Sequence, residues 1–148
     1  MALVRTAKLL VHDRMSAEDV VQDAFLGLYR ALPRLNDQDR VLPYLRTAVV
    51  NRSRSVMRAR RRALARQPEH APPASSAESA VLIGEDHRQV LAAVGRLSRR
   101  SREVLVLRYY LDLPDQEIAE VLGVSRGTVS STASRALAAL ARELREEL

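Results

Sequence analysis

The chain has 148 residues and no cysteine, so it has no disulfide, no thiolate metal site and no thiol switch. Aromatic residues make up only 3% against a hydrophobic fraction of 47%, so any core must be built from Leu, Val and Ala, a composition that favours helices. Glycine occurs five times and no alternating strand pattern is visible, which argues against a sheet. His12, His70 and His87 are scattered without ligand spacing, no glycine-rich phosphate loop occurs, and no Ser/His/Asp arrangement can be assembled. The reading is therefore a protein with no catalysis of its own, no metal and no cofactor. No signal peptide and no bilayer-length apolar run are present, so a cytoplasmic protein without direct membrane insertion is expected. Lysine is nearly missing too: Lys8 is the only one, and arginine carries the rest of a net charge of +6. That surplus suits a partner rich in phosphate, although GC-rich coding alone also favours arginine.

The most informative stretch runs from Asp115 to Leu140. Ile118, Ala119 and Leu122 form an apolar stripe at helical spacing, Gly123 stands where a left-handed C-terminal cap is needed, Val124 fills the corner, and Ser125 can cap the next helix. That second helix is expected to bury Val129, Ala133, Leu137 and Leu140. It would display Ser125, Arg126, Thr128, Ser130, Ser131, Ser134 and Arg135. Two helices so joined make a helix-turn-helix, whose second helix enters the DNA major groove. A plain helical hairpin is the bland alternative.

The rest of the chain reads as all-α, in two small helical domains. Leu3, Val4, Ala7, Leu10 and Val11 mark a first helix over residues 1–12. Ser16 with Asp19 three residues on resembles a capping box for a second, running to about Ala31 and ended by Pro33. Val20, Val21, Ala24, Phe25 and Leu28 form its expected core stripe, while Glu18, Asp19, Gln22 and Asp23 form an acidic, polar patch. Residues 34–40 are polar loop, and Pro43 sits early in a third helix with Tyr44, Leu45, Ala48, Val49 and Val56 inward. From Asn51 this helix turns basic, with Arg52, Arg54, Arg58, Arg60, Arg61, Arg62 and Arg66, a single-sign run suited to phosphate contact. Residues 67–80 are Pro, Ala and Ser with almost no bulky apolar group and read as a linker. The pattern resumes at Val81. Val90, Leu91, Val94 and Leu97 mark one helix, Ser98 caps the next with Val104, Leu105 and Leu107 inward, and Pro114 opens the helix-turn-helix. The layout is three helices (1–66), a linker (67–80) and four helices (81–148).

Separated stretches of the chain resemble one family in the same order. Ala17 to Leu26 resembles the segment of sigma factor region 2 that docks on RNA polymerase, and Tyr44 to Asn51 with the arginines after it looks like the part that reads the promoter −10 element. Leu97 to Tyr110 and the helix-turn-helix resemble region 4, which reads the −35 element. Only regions 2 and 4 are present, the plan of extracytoplasmic-function sigma factors, with a flavour around Val49-Val50-Asn51 similar to SigE-like actinobacterial members. The resemblance implies that Glu18, Asp19, Gln22 and Asp23 bind core polymerase. It implies that Asn51, Arg52, Arg54, Arg58 and Arg61 bind −10 DNA, and that Ser125, Arg126, Thr128, Ser130, Ser131, Ser134 and Arg135 bind −35 DNA. An anti-sigma factor is a further implied partner, and no small-molecule substrate is implied. In the family the first helix of region 2 is usually longer at its N-terminal end, and Ser130 and Ser131 stand where a basic residue is common. The helix-turn-helix alone also fits a stand-alone LuxR-like transcriptional regulator; the Ala17–Leu26 segment together with the basic third helix favours the sigma factor.

Overall fold

The computed structural model describes residues 2–66 and 84–146. Every regular element among them is helical, in two compact units. The linker segment 67–80 and the expected restart at Val81 lie outside the described residues.

The first unit is three helices: α1 (Ala2–Val11), α2 (Arg14–Ala31) and α3 (Val41–Arg66), each packed on the other two. Ala7, Val11, Ala17, Val20, Val21, Ala24, Leu28, Leu45, Ala48 and Val49 form the core, with Leu3, Val4, Tyr44 and Val56 half-buried against it. The small alanines let the helix axes approach closely, which is how a core almost without aromatics is filled. α1 and α2 are separated by two residues only. His12 takes a left-handed backbone (φ 68°) and Asp13 is extended.

The N-cap of α2 is Asp13, not Ser16. The Asp13 carboxylate accepts the Ser16 backbone N–H at 2.8 Å, so the expected cap residue is the third residue inside the helix and Asp13 does the capping. Arg60, near the end of α3, closes the same corner: its guanidinium donates to the Asp13 carboxylate, the Val11 carbonyl and, at 2.9 Å, the Ser16 hydroxyl. Arg60 thus belongs to the fold rather than to the free basic run.

Partial burial pushes the Asp13 carboxyl upward, but the Ser16 backbone and hydroxyl donors and the Arg60 guanidinium outweigh it and hold the carboxyl below its ordinary value of 3.8. A depressed carboxyl contributes stability that is present above the unfolded value and lost as pH falls through the folded one. In thermal melts the gap between the wild type and Asp13→Asn should therefore be full near neutrality and close below about pH 4. A gap that does not change with pH would contradict this account.

α2 gives way after Ala31 to one 3-10 turn (Leu32–Arg34), and a second (Gln38–Arg40) leads into α3. The stretch expected as plain loop is thus partly turned, and the Asp37 side chain caps the second turn at the Asp39 N–H, 3.0 Å away. Pro43 is the third residue of α3, where no intrahelical donor is required.

The second unit holds α4 (Glu85–Arg96), α5 (Arg99–Leu105), α6 (Asp115–Leu122) and α7 (Arg126–Glu146). Ser98 caps α5 as expected, and the chain widens from α5 into a π-helical turn, Val106–Tyr110, that leaves Tyr109 and Tyr110 exposed. α4 contributes less core than its sequence suggests: Val90 and Leu91 are exposed, and Ala93 is its buried residue. The corner between α4 and α5 is closed by Arg102. This buried guanidinium donates to the carbonyls of Val94 (3.3 Å), Gly95 (2.9 Å) and Leu97 (2.9 Å) at the end of α4, where the Val94 carbonyl also accepts the Leu97 N–H at 3.1 Å.

Candidate functional site

α6 and α7 meet as the sequence predicts. Ile118, Ala119, Val121 and Leu122 are buried, and Gly123 turns the chain at φ 68°, ψ 37°, where any side chain would be strained. Its N–H caps the Ala119 carbonyl. Ser125 caps α7, its hydroxyl accepting the Thr128 N–H at 3.1 Å and lying 2.9 Å from the Thr128 hydroxyl.

The inward face of α7 is Val129, Thr132, Ala133 and Ala136. Leu137, expected inside, is 42% exposed, and Leu140 is half-buried. The reason is size: Thr132, Ala133 and Ala136 bring α7 close to its neighbours, and that small-residue stripe, rather than the leucines, sets the rotation of the helix. The outward face gathers Ser125, Arg126, Thr128, Ser130, Ser131, Ser134 and Arg135, all exposed. No carboxylate interrupts that surface from Ser125 to Arg135. The Ser131 hydroxyl donates to the Thr128 carbonyl at 3.2 Å, which leaves its lone pairs open to an outside donor.

The acidic patch is equally exposed: Glu18, Asp19, Gln22 and Asp23 all project from α2, with Glu18 accepting from Arg14 at 3.0 Å. Beside it lies a feature that the sequence concealed. Phe25, expected in the core, is 45% exposed. With Leu26, Tyr29 and Val21 of α2 and Val4 of α1 it lines an open groove that also takes in Glu18 and Gln22. The signal was present in the spacing: Gln22, Leu26 and Tyr29 share one side of the helix with Phe25, so apolar and polar residues alternate on an outer surface rather than segregating inward.

On α3, Asn51, Arg58 and Arg61 are exposed, and Arg52 and Arg54 are half-buried. Asn51 and Arg58 are seven positions apart and so lie two turns along one side, whereas Arg61 is offset around the helix. No group of three or more His, Cys, Asp or Glu side chains that could hold a metal occurs among the described residues. No helix among them is long and apolar enough to cross a membrane.

A basic α3, an acidic and apolar face on α2, and an exposed helix-turn-helix are chemically distinct surfaces, and the helix-turn-helix is the mark of a DNA-binding protein. Residues 2–63 match the family model described as Sigma-70 region 2, and residues 87–140 match Sigma-70, region 4. The chain is 34% identical over 143 residues to the RNA polymerase sigma-E factor of Streptomyces coelicolor, covering 97% of this chain and 80% of that one. It is 32% identical to the RNA polymerase sigma factor CarQ of Myxococcus xanthus, over 94% of this chain and 80% of that one. Among solved structures it is similar to the sigma factor RpoE of Bartonella quintana in complex with the anti-sigma factor NepR, with a TM-score of 0.82, 25% identity, and coverage of 97% of this chain and 90% of that one. It is also similar to CnrH in complex with the cytosolic domain of CnrY, with a TM-score of 0.76, 28% identity, and coverage of 99% and 82%. The chain belongs to the sigma-70 family of RNA polymerase sigma factors, with regions 2 and 4 in that order.

Proposed function

We propose that the chain binds core RNA polymerase and directs it to promoters through two DNA-reading surfaces. The observation that carries this reading is the opposed chemistry of two exposed faces: α2 offers carboxylates beside an apolar groove, while α7 from Ser125 to Arg135 offers hydroxyls and guanidiniums without a carboxylate. The first suits a protein surface of basic and apolar character; the second suits a polyanion.

In this reading Glu18, Asp19, Gln22 and Asp23 hold the polymerase. Asn51 with Arg52, Arg54, Arg58 and Arg61 holds −10 DNA, the arginines neutralising phosphate and the Asn51 amide able to both donate and accept at a base edge. Arg126 and Arg135, with Ser125, Thr128, Ser130, Ser131 and Ser134 between and around them, meet the −35 major groove. The boundaries that follow are region 2 over 1–66, a linker over 67–80 and region 4 over 81–148. The polymerase performs the chemistry, the protein acts in the cytoplasm, and an anti-sigma factor is a further partner, a reading supported by the RpoE–NepR complex.

The test is transcription from a pool of genomic promoter fragments by core polymerase with and without the protein. New start sites that appear only with both components are expected. Tight, sequence-specific binding to bare duplex with no effect on polymerase would mark a stand-alone regulator instead.

A further inference from the structure

Arg52 differs from the other arginines of α3. It is half-buried, and its guanidinium lies close to α2 at Gly27. The point of approach is Gly27: a Cβ built there would stand 2.7 Å from Arg52 Nη2, 3.6 Å from Arg52 Cζ and 3.0 Å from the hydroxyl oxygen of Tyr44. Both side chains therefore occupy space that is open only because residue 27 has no side chain. Tyr44 and Arg52 are eight positions apart on α3, and both side chains reach Gly27. No carboxylate among the described residues forms an ion pair with Arg52. Asp23, one turn up α2 from Gly27, belongs to the face assigned to the polymerase. The result is a guanidinium fixed in place by packing, with donors not consumed by an acid.

We infer that Gly27 and Tyr44 are positioning residues that hold the Arg52 guanidinium for one backbone phosphate of the −10 DNA. This rests on the assignment of α3 to that DNA. An arginine held in advance loses less side-chain freedom on binding than one that must be gathered from solvent, so it returns more of its phosphate interaction as affinity. The bare backbone of Gly27 is what permits the close seat, with the Tyr44 hydroxyl as its second wall.

Gly27→Ala tests this cleanly because its two effects have opposite signs. The clashing atoms are the ends of flexible side chains, so the fold can accommodate the methyl, and alanine in a helix interior is more stabilising than glycine. The probe is a duplex fragment enriched by the wild-type protein with core polymerase from a random-sequence pool. With that fragment, Gly27→Ala should weaken holoenzyme binding several-fold and make its salt dependence shallower by about one unit, as Arg52→Ala should. The thermal midpoint should stay level or rise. The Gly27→Ala, Arg52→Ala double variant should lose no more than Arg52→Ala alone, and Arg52→Lys should restore the salt slope without the full affinity. Wild-type binding by Gly27→Ala, losses that add in the double variant, or a midpoint that falls with the binding would each overturn the inference. Failure of the wild type to enrich any fragment would instead overturn the promoter reading, and the inference with it.

Discussion

Asp19→Arg combined with Asp23→Arg is expected to reduce binding to core RNA polymerase at least about 100-fold while leaving the helical content unchanged. Both residues are exposed on α2 and outside the core of the first unit, so reversing them removes no packing. Their spacing of four places them one above the other on one face. Like charges brought together at an interface cost several kcal/mol, and each ~1.4 kcal/mol is tenfold in affinity, so two reversals exceed what a modest interface can absorb. Co-elution on a sizing column, with circular dichroism as the control for folding, decides it. Undiminished co-elution would remove α2 from the polymerase interface. A companion change, Phe25→Asp, separates the apolar groove from the charges: it too should weaken association, because the groove loses its half-exposed ring.

The second large effect concerns stability. Arg102→Ala is expected to destabilise the second unit by about 2–4 kcal/mol, since a buried acceptor that loses its donor costs about 1–3 kcal/mol and the cavity left behind adds to it. The side chain is almost wholly buried, with only 9% of its surface exposed, and it supplies donors to three carbonyls at the α4–α5 corner. Its loss takes a donor from each of those carbonyls, of which Val94 keeps the Leu97 N–H, and opens a cavity at the same time. Small domains hold only about 5–15 kcal/mol in reserve, so a denaturant melt followed by circular dichroism should show a clearly earlier transition. Arg102→Lys should recover only part of the loss, since an ammonium cannot span three carbonyls as a planar fork does. A midpoint within experimental error of the wild type would show that water replaces the guanidinium at no cost.

Much of the architecture was legible because local signals agreed with one another. The helix-turn-helix was readable from Gly123, Ser125 and the Ile118–Leu122 stripe, since a left-handed turn and a hydroxyl cap are short-range devices. The acidic patch was readable because four polar residues cluster at the start of one helix. What escaped depends on the third dimension. Asp13 could not be preferred over Ser16 as the cap without knowing that the chain breaks at His12. Phe25 and Leu137 have core-like side chains at nearly the right spacing, yet each lies about one residue off the stripe that the small residues select. Arg60 reads as part of the basic run, and Arg102 draws no reading at all. Each is instead committed to carbonyls, and Arg60 to a carboxylate as well, at corners that only the packed helices create. Gly27 gave no signal at all, because its role is the room that it leaves for residues on another helix.

The length of α7 has a mechanical consequence. It is one uninterrupted rod from Arg126 to Glu146, and near its far end Glu143 is pinned to Arg96 of α4 at 2.6 Å. At a rise of about 1.5 Å per residue, Arg126 stands roughly 26 Å from that pin. A tilt of about 5° around it therefore swings the leading end of the rod by about 2 Å, most of the length of a hydrogen bond. α5 and α6, which pack along α7 ahead of that pin, are thus what holds the direction of its exposed Ser125–Arg135 face.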